Sequence, residues 1–369
     1  MKFAHFLNWV DLKMTLLTNT NPEYYELLAR CISWAPSADN TQPFSVRFDS
    51  EKLTLYYDEK RVAGTTFPAS AHASLLAAGC AKENLRQLLN ASDMKATFKD
   101  ILAIDHLDDQ FHVLTMDLPE KLDSTLSQHA LFNRHTNRLP YHTQPLTRQQ
   151  KGYLESLSTD NVNVIVMEAS DKAVVADWIH HASCIRFQTK EVHEFLAKSL
   201  RFTQAEVLAG DGLDIATLPL PPFGGALMRY ISKWENMSKL NKVGLYKLFA
   251  TIEAKSILAS GNILAITNKH GMSNIVKAGE IMEKAWIWLN QENLAVQPYY
   301  VVADQIKRLT EGKISTNLVK QASLLSNEVT KKLELGDTQQ LSMLMRIGTP
   351  RKAALRSQRL PIRYITQQS

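Results

Sequence analysis

Apolar residues recur along this chain with two periods, and the switches between them lay out its elements. Tyr24, Leu27, Leu28 and Ile32 follow at helical spacing behind Asn21-Pro22-Glu23, which supplies an N-cap, a proline at the first position and an acid in the first turn. A helix is therefore predicted that stops before Pro36. Residues 45–48 and 52–57 read as a β-hairpin, 69–89 as a helix with close-packing small residues at Ala77-Ala78-Gly79, and 111–116 as a strand. Further on come a helix near 148–157, a strand at 162–167 and two helices across 173–200. An irregular Gly/Pro-rich stretch fills 210–222, and 225–255 is helical with Tyr230, Trp234, Tyr246 and Phe249. The pattern continues with a strand at 262–267, a helix at 273–290 and a short strand at 299–303. A helix at 310–335, polar on one side, and a last strand at 341–347 complete it. Strands and helices thus alternate in an α+β order.

One internal echo stands out. Ala78-Gly79 leading to Leu89-Asn90 matches Ala278-Gly279 leading to Leu289-Asn290, a shift of 200 positions, and each copy follows an apolar strand. Strand, helix, turn and strand recur in both halves, as an old duplication would leave them.

The 369 residues allow one large domain or two ordinary ones, and 45% hydrophobic with 21% charged content is that of a soluble globular chain. The net charge of +5, from 42 basic and 37 acidic residues, is too small to point to nucleic acid. It is unevenly spread: Arg346, Arg351, Lys352, Arg356, Arg359 and Arg363 follow one another with no acid between them, forming an anion-attracting C-terminal patch. Cys31, Cys80 and Cys184 are far apart, so neither a disulfide scaffold nor a zinc site is expected. Residues 1–14 lack the sustained apolar core of a signal peptide, and no run is long enough to span a bilayer. A cytoplasmic location, with no membrane or nucleic-acid partner, is expected.

The candidate chemistry is concentrated at Arg134-His135-Thr136-Asn137-Arg138. Two guanidinium forks with a hydroxyl between them are the donors that hold a phosphate. Pro140 and Pro145 keep the following chain extended. On residue types alone, a solvated basic turn and an anion-binding segment both stand. A second polar loop, Ala35-Pro36-Ser37-Ala38-Asp39-Asn40-Thr41-Gln42-Pro43-Phe44, is compatible with a surface turn held by Asx-type bonds or with a binding loop. His72 and His180-His181 have no carboxylate or cysteine at ligand spacing, so no metal site is expected. Trp286 and Trp288 read as packing residues. There is no convincing nucleophilic triad.

Taken together, these segments resemble the flavin-dependent nitroreductase family. Arg134 to Arg138, followed by Pro145-Leu146-Thr147, resembles the family's basic-x-hydroxyl-x-basic motif around the FMN phosphate and ribityl chain. Residues 35–44 resemble its Pro-Ser-x-x-Asn-x-Gln-Pro-aromatic loop, which lies against the flavin across a subunit boundary. Ile347-Gly348-Thr349-Pro350 and Ser357-Gln358-Arg359-Leu360-Pro361 resemble its closing strand and basic return loop. The motif order is inverted here, with the Pro-Ser-Asn loop first and the Arg motif about a hundred residues later. With Asp211-Gly212-Leu213-Asp214 and Gln297-Pro298, the arrangement is similar to the tandem, Acg-like branch.

The resemblance implies a nitroreductase-like intrachain pseudo-dimer. Its halves would be 20–130 and 131–365, each an antiparallel sheet flanked by helices, with 200–255 inserted as a lid or arm. It implies one good FMN site and one decayed site. The cofactor would be held by Pro36, Ser37, Ala38, Asn40, Gln42, Arg134, His135, Thr136, Arg138, Gln297, Pro298, Arg356, Ser357 and Arg359. Arg138 or Arg134 would place a cation near the ring's pyrimidine edge. NAD(P)H would be co-substrate and a small conjugated acceptor the substrate. FMN carries the chemistry, so no side chain is catalytic. The chain would act as a monomer or a homodimer. A low-turnover flavin store beneath a closed lid is the alternative.

Overall fold

A computed structural model describes residues 22–49, 52–92, 94, 97–100, 112–117 and 124–366; residues 1–14, the Asn21 cap and Phe111 lie outside the described residues. In the first half, α1 (Pro22–Ser33) precedes β1 (Phe44–Phe48) and β2 (Lys52–Tyr57). The long α2 (His72–Asn90) leads to β3 (Phe98–Asp100) and β4 (His112–Asp117), and the antiparallel sheet has the order β1-β2-β4-β3. The second half begins with α3 (Arg148–Glu155), started by a Thr147/Gln150 capping box, and β5 (Val162–Met167). An insertion follows. It holds α4 (Lys172–Phe187), α5 (Lys190–Ser199), a parallel pair β6 (Leu200–Arg201) and β7 (Leu213–Asp214), then α6 (Gly224–Ile231), α7 (Trp234–Asn241) and α8 (Leu245–Leu258). After it come β8 (Asn262–Lys269), α9 (Met272–Gln291), β9 (Ala295–Tyr299), α10 (Val301–Thr310), α11 (Val319–Lys332) and β10 (Gln339–Gly348). Their antiparallel sheet is ordered β5-β8-β10-β9.

The two sheets share one topology: first strand, second, fourth, third, with a long helix after the second. Those helices, α2 and α9, cross where the sequence echo lies. A Cβ on Gly79 would come 2.0 Å from the Val276 carbonyl oxygen, and one on Gly279 would come 2.2 Å from that of Leu76. Only glycine lets two helix backbones approach so closely. One continuous core joins both halves, drawing Leu28, Leu55 and Leu85 together with Leu264, Ile281 and Met345. The second sheet carries a separate core on its other face, with Trp178, Ile263, Ala265, Val302 and Leu344. Burial on both faces explains why β8 is apolar without alternation.

Two expectations are corrected. The strand at 299–303 is instead the end of β9 and the start of α10: Val301 and Val302 are β-branched, but helical geometry is what buries Val302 while Ile306 packs against the same core. The helix expected across 310–335 is broken by Gly312, in left-handed conformation at φ +67°, and by a 3₁₀ turn at Thr316–Leu318. The helical 225–255 stretch is three helices, with Gly244 at φ +92° starting the last. Pro298 is tolerated in β9 because that strand is an edge, paired only with β10. No described helix is long and apolar enough to cross a membrane.

Candidate functional site

Three segments meet beside the α2/α9 crossing: the loop after α1, the extended 134–142 stretch and the chain beyond β10. The middle one is fixed by its backbone. Asn137 N donates to Val296 O on β9 (2.9 Å), and His142 N donates to Thr349 O (2.9 Å). Arg346 on β10 fastens it further. Its side chain, in a residue only 1% exposed, donates to the carbonyls of Arg138 and Leu139 (both 2.9 Å), to Ser256 O (3.2 Å) and to Gln297 Oε1 (2.8 Å). It stacks on Tyr141 at 4.1 Å, and the Tyr141 hydroxyl donates to Asn137 O.

The loop after α1 is strained. Asp39, Asn40 and Gln42 all have positive φ (46°, 57° and 47°), three outliers within four non-glycine residues. Each costs about 1–3 kcal/mol, so surrounding contacts must hold them, and such strain concentrates at working sites. The contacts are explicit. Gln42 is buried; it donates to Gly210 O (2.9 Å) and accepts from Leu360 N (2.9 Å), while its own N–H donates to Ser37 Oγ (2.9 Å). Asn40 donates to Gly212 O (3.0 Å) and Gln358 O (3.1 Å), and accepts from Gly212 N (3.1 Å) at its carbonyl. Gly210 and Gly212 complete the fit, since a Cβ on either would overlap a carbonyl oxygen of Arg359 or Ser199. Asn40 and Gln42 thus tie the loop to the 210–212 turn and the C-terminal segment. Replacing Gln42 by alanine orphans a buried carbonyl and N–H, so a loss of about 2–4 kcal/mol in urea denaturation is expected, against about 1 kcal/mol for Ser37→Ala.

Around that knot the guanidinium groups gather. Arg134 (2% exposed) donates to Trp34 O at 2.5 Å and lies 4.6 Å over the Trp286 ring. Arg359 reaches the same Trp34 carbonyl (3.4 Å), donates to Asn40 Oδ1 (3.1 Å), and covers the Trp34 ring at 5.1 Å; its Nε is buried without a partner. The exposed Arg356 reaches Asn133 Oδ1 at 3.4 Å. His135 is held by its backbone, donating to Asn290 Oδ1 (2.9 Å) and accepting from Trp286 Nε1 (3.0 Å). Burial, offset in part by a bond to the Asn133 backbone, lowers its pKa, as do Arg356 and Arg134. The acid paired with Arg134 is Glu283 on α9, 0% exposed, with Oε1 2.8 Å from Arg134 Nε. That close ion pair is supported from α2 by the Asn84 side chain, whose bond to Glu283 favours its charged form. Burial also lowers the Arg359 pKa, as the charge on Arg134 does, yet a guanidinium remains protonated.

Arg138 lies apart from this group. Among the described residues no hydrogen bond or ion pair engages its guanidinium, and Asp39 is its nearest opposing charge in effect. Asp39 in turn has a pKa raised by burial and pulled back by Arg186 and Arg138. Thr136 is partly buried beside these residues. Gln297 and Pro298 belong to the β9 edge, Gln297 being tied to Arg346, and Ser357 O accepts from Arg359 (3.3 Å). Pro36 and Ala38 are partly buried in the strained loop.

The structure therefore gathers Arg134, His135, Arg356, Ser357 and Arg359 with the loop. It adds residues that the motifs did not show: Trp34, Asp39, Trp286, Asn290, Arg346 and Glu283. For Glu283 a signal existed, since Glu83 and Glu283 stand at the same shift of 200 as the paired glycines.

Three guanidinium groups against one paired carboxylate leave an excess of positive charge, which suits a phosphate dianion, and the orphaned Arg359 Nε is a donor in want of an acceptor. The residues thus fit the phosphate end of FMN. At the ring end the available donors are those of Arg138 and Thr136, because the side-chain amides of Asn40 and Gln42 are occupied by backbone groups.

No family model matches the sequence, and no curated relative does. Among solved structures, the chain is similar to an FMN-dependent nitroreductase from Mycobacterium smegmatis in complex with NADPH, at 13% identity over 66% of this chain and 97% of that one, with a TM-score of 0.36. It is also similar to a nitroreductase-like family protein from Bacillus cereus, at 10% identity over 67% of this chain and 96% of that one, with a TM-score of 0.35. These neighbours are matched nearly end to end, while about a third of this chain has no counterpart in them. Agreement at that level assigns neither fold nor chemistry, which rest on the residues themselves.

Proposed function

We propose that this chain is an FMN-binding oxidoreductase of nitroreductase type that takes reducing equivalents from NAD(P)H and passes them to a small conjugated acceptor such as a quinone or nitroaromatic. The observation that carries it is the cluster of Arg134, Arg356 and Arg359 packed against a strained loop of Pro-Ser-x-x-Asn-x-Gln-Pro type. The halves 20–130 and 131–365, with their common strand order and glycine crossing, support an intrachain pseudo-dimer. In β5's half the counterpart loop is cut short: Ser158-Thr159-Asp160-Asn161 runs straight into the strand at Val162. This supports a single working site per chain.

When bound, FMN supplies the hydride and electron-transfer chemistry. The chain supplies position and field. Arg134, Arg356 and Arg359 would hold the phosphate, and the Thr136 hydroxyl would serve the ribityl chain. Arg138, with no hydrogen bond or ion pair at its guanidinium among the described residues, would bring a cation to the ring. Arg346 orients that segment through the Arg138 and Leu139 carbonyls.

The test is FMN titration of the purified protein, followed by anaerobic NADPH or NADH while the flavin absorption band is watched. Wild type is expected to bind FMN in preference to riboflavin, which lacks the phosphate, and to bleach on adding the nicotinamide. Arg359→Ala is expected to weaken FMN about tenfold to a hundredfold, as loss of a charge-assisted contact of about 1.5–3 kcal/mol does. A folded protein that takes up no FMN would sink the reading. Tight FMN that resists NAD(P)H would leave a flavin store rather than a reductase.

A further inference from the structure

We propose that Glu283 is a built-in competitor anion for the guanidinium cluster, so that its protonation releases Arg134 and couples anion binding to proton uptake. The inference rests on the reading of that cluster as a phosphate site.

Glu283 enters from α9 and is fully buried. Each element packed around it faces it with something different. The 134–138 segment brings Arg134, at 2.8 Å from Oε1, and the C-terminal segment brings the Arg359 charge. From α2 come Glu83, which repels it, and Asn84, whose side chain bonds to the carboxylate and also donates to Cys31 O (3.1 Å). Burial raises the pKa of the Cys31 and Cys80 thiols, and the nearby Glu283 charge raises both further, so they remain neutral. Burial raises the Glu83 pKa as well, while a bond from Gln87 (2.8 Å) and the ion pair with Arg86 (2.5 Å) pull it back. Glu283 therefore meets the charge of the cluster through one close ion pair, with Arg134, and has the Asn84 amide as its other support.

A buried carboxylate in that setting is poorly compensated. Burial raises its pKa, Arg134 and Arg359 pull it back, and the balance falls at about 7. The sign of the coupling follows. Above that pH, Glu283 is charged and cancels part of the field of Arg134. Below it, the carboxyl is neutral and the cluster presents its full positive charge. An anion arriving at the cluster repels the carboxylate and draws a proton onto it. By reciprocity, anion affinity rises as pH falls through neutrality.

Sulfate is the first probe, since its charge is constant across this range, with Trp34 and Trp286 fluorescence and calorimetry in buffers of different ionisation heat as readouts. FMN is the second. Wild-type affinity for sulfate is expected to rise about threefold to tenfold from about pH 8 to about pH 6, with a fraction of one proton taken up near neutrality. Glu283→Gln should bind sulfate tightly at every pH with no slope. His135→Gln and Glu83→Gln, which remove the titrating neighbours on the other two elements, should keep the slope. A flat wild-type profile without proton uptake overturns the proposal, as does a slope that survives in Glu283→Gln or vanishes in His135→Gln or Glu83→Gln. If Glu283→Gln does not fold, proton uptake by wild type, His135→Gln and Glu83→Gln decides the matter. Sulfate binding with the slope but no FMN uptake would keep this inference and defeat the flavin reading. FMN binding with a flat sulfate profile would do the reverse.

Discussion

Alanine at Gly279 is expected to destabilise the protein by about 2 kcal/mol or more, and leucine there to prevent folding. In an open helix the same change stabilises by about 1 kcal/mol, because alanine loses less backbone entropy than glycine. Here the new Cβ would stand 2.2 Å from Leu76 O and 2.9 Å from Leu76 C, and backbone of a facing helix cannot swing away as a side chain can. Relief requires α2 and α9 to separate. Separation loosens Cys80 Sγ from Gly279 O (3.3 Å) and stretches the ion pairs of Lys82 (3.1 Å) and Arg86 (2.9 Å) with Glu280. Overpacking of about 3 kcal/mol or more therefore outweighs the propensity gain. Gly79→Ala should behave alike, its Cβ meeting Val276 O at 2.0 Å. Gly152→Ala in α3 is the control: nothing lies within 4 Å of that Cβ, so a gain of about 0.5–1 kcal/mol is expected. Equal effects of all three in chemical denaturation would show that the crossing is looser than described.

The second large effect is expected at Arg346. Methionine there keeps most of the volume but leaves four acceptors, the carbonyls of Arg138, Leu139 and Ser256 and the Gln297 amide oxygen, without their donor. A loss of about 3–5 kcal/mol follows, the range for breaking a buried charged network. Lysine should not rescue it, since one ammonium cannot serve four acceptors spread along a planar fork or stack on Tyr141. Because two of the bonds hold the segment that carries Arg134, Thr136 and Arg138, anion affinity should fall with stability. Arg359→Ala should lose affinity at a smaller cost in stability, because the Trp34 and Gln358 carbonyls it touches keep donors in Arg134 and Asn40. Melting curves and FMN titrations on both variants separate the two roles. Arg346→Met with native affinity would mean that the 134–139 segment needs no such support.

Much of the architecture was legible because it is written in local periodicity. The hairpin at 44–57, the strands at 162–167 and 262–269, and the helices of α1, α2 and α9 follow from alternation or 3.6-residue spacing, and their punctuation from proline, glycine and capping residues. The echo of Ala78-Gly79 in Ala278-Gly279 marked the two glycines at which α2 and α9 cross. Where local signals misled, tertiary burial had the last word: Val301 and Val302 favour a strand, yet the second core accepts them as a helix.

The sequence by itself determined the strand and helix periods, the paired glycines, and the guanidinium and hydroxyl groups of Arg134, Thr136, Arg138, Arg356 and Arg359, which as residue types left a solvated turn and an anion site both open. Those are properties of residue types and spacing. Only the tertiary structure decided what each polar group faces. Asn40 and Gln42 look the same in sequence whether they meet a ligand or a backbone carbonyl. The fold brings Gly210, Gly212 and Leu360 to them across more than 150 residues, and that contact fixes their role as ties. Glu283 likewise reads as one more helix acid until folding strips its water and sets it against Arg134. Charge is carried by the sequence, but its strength is set by what is left to screen it.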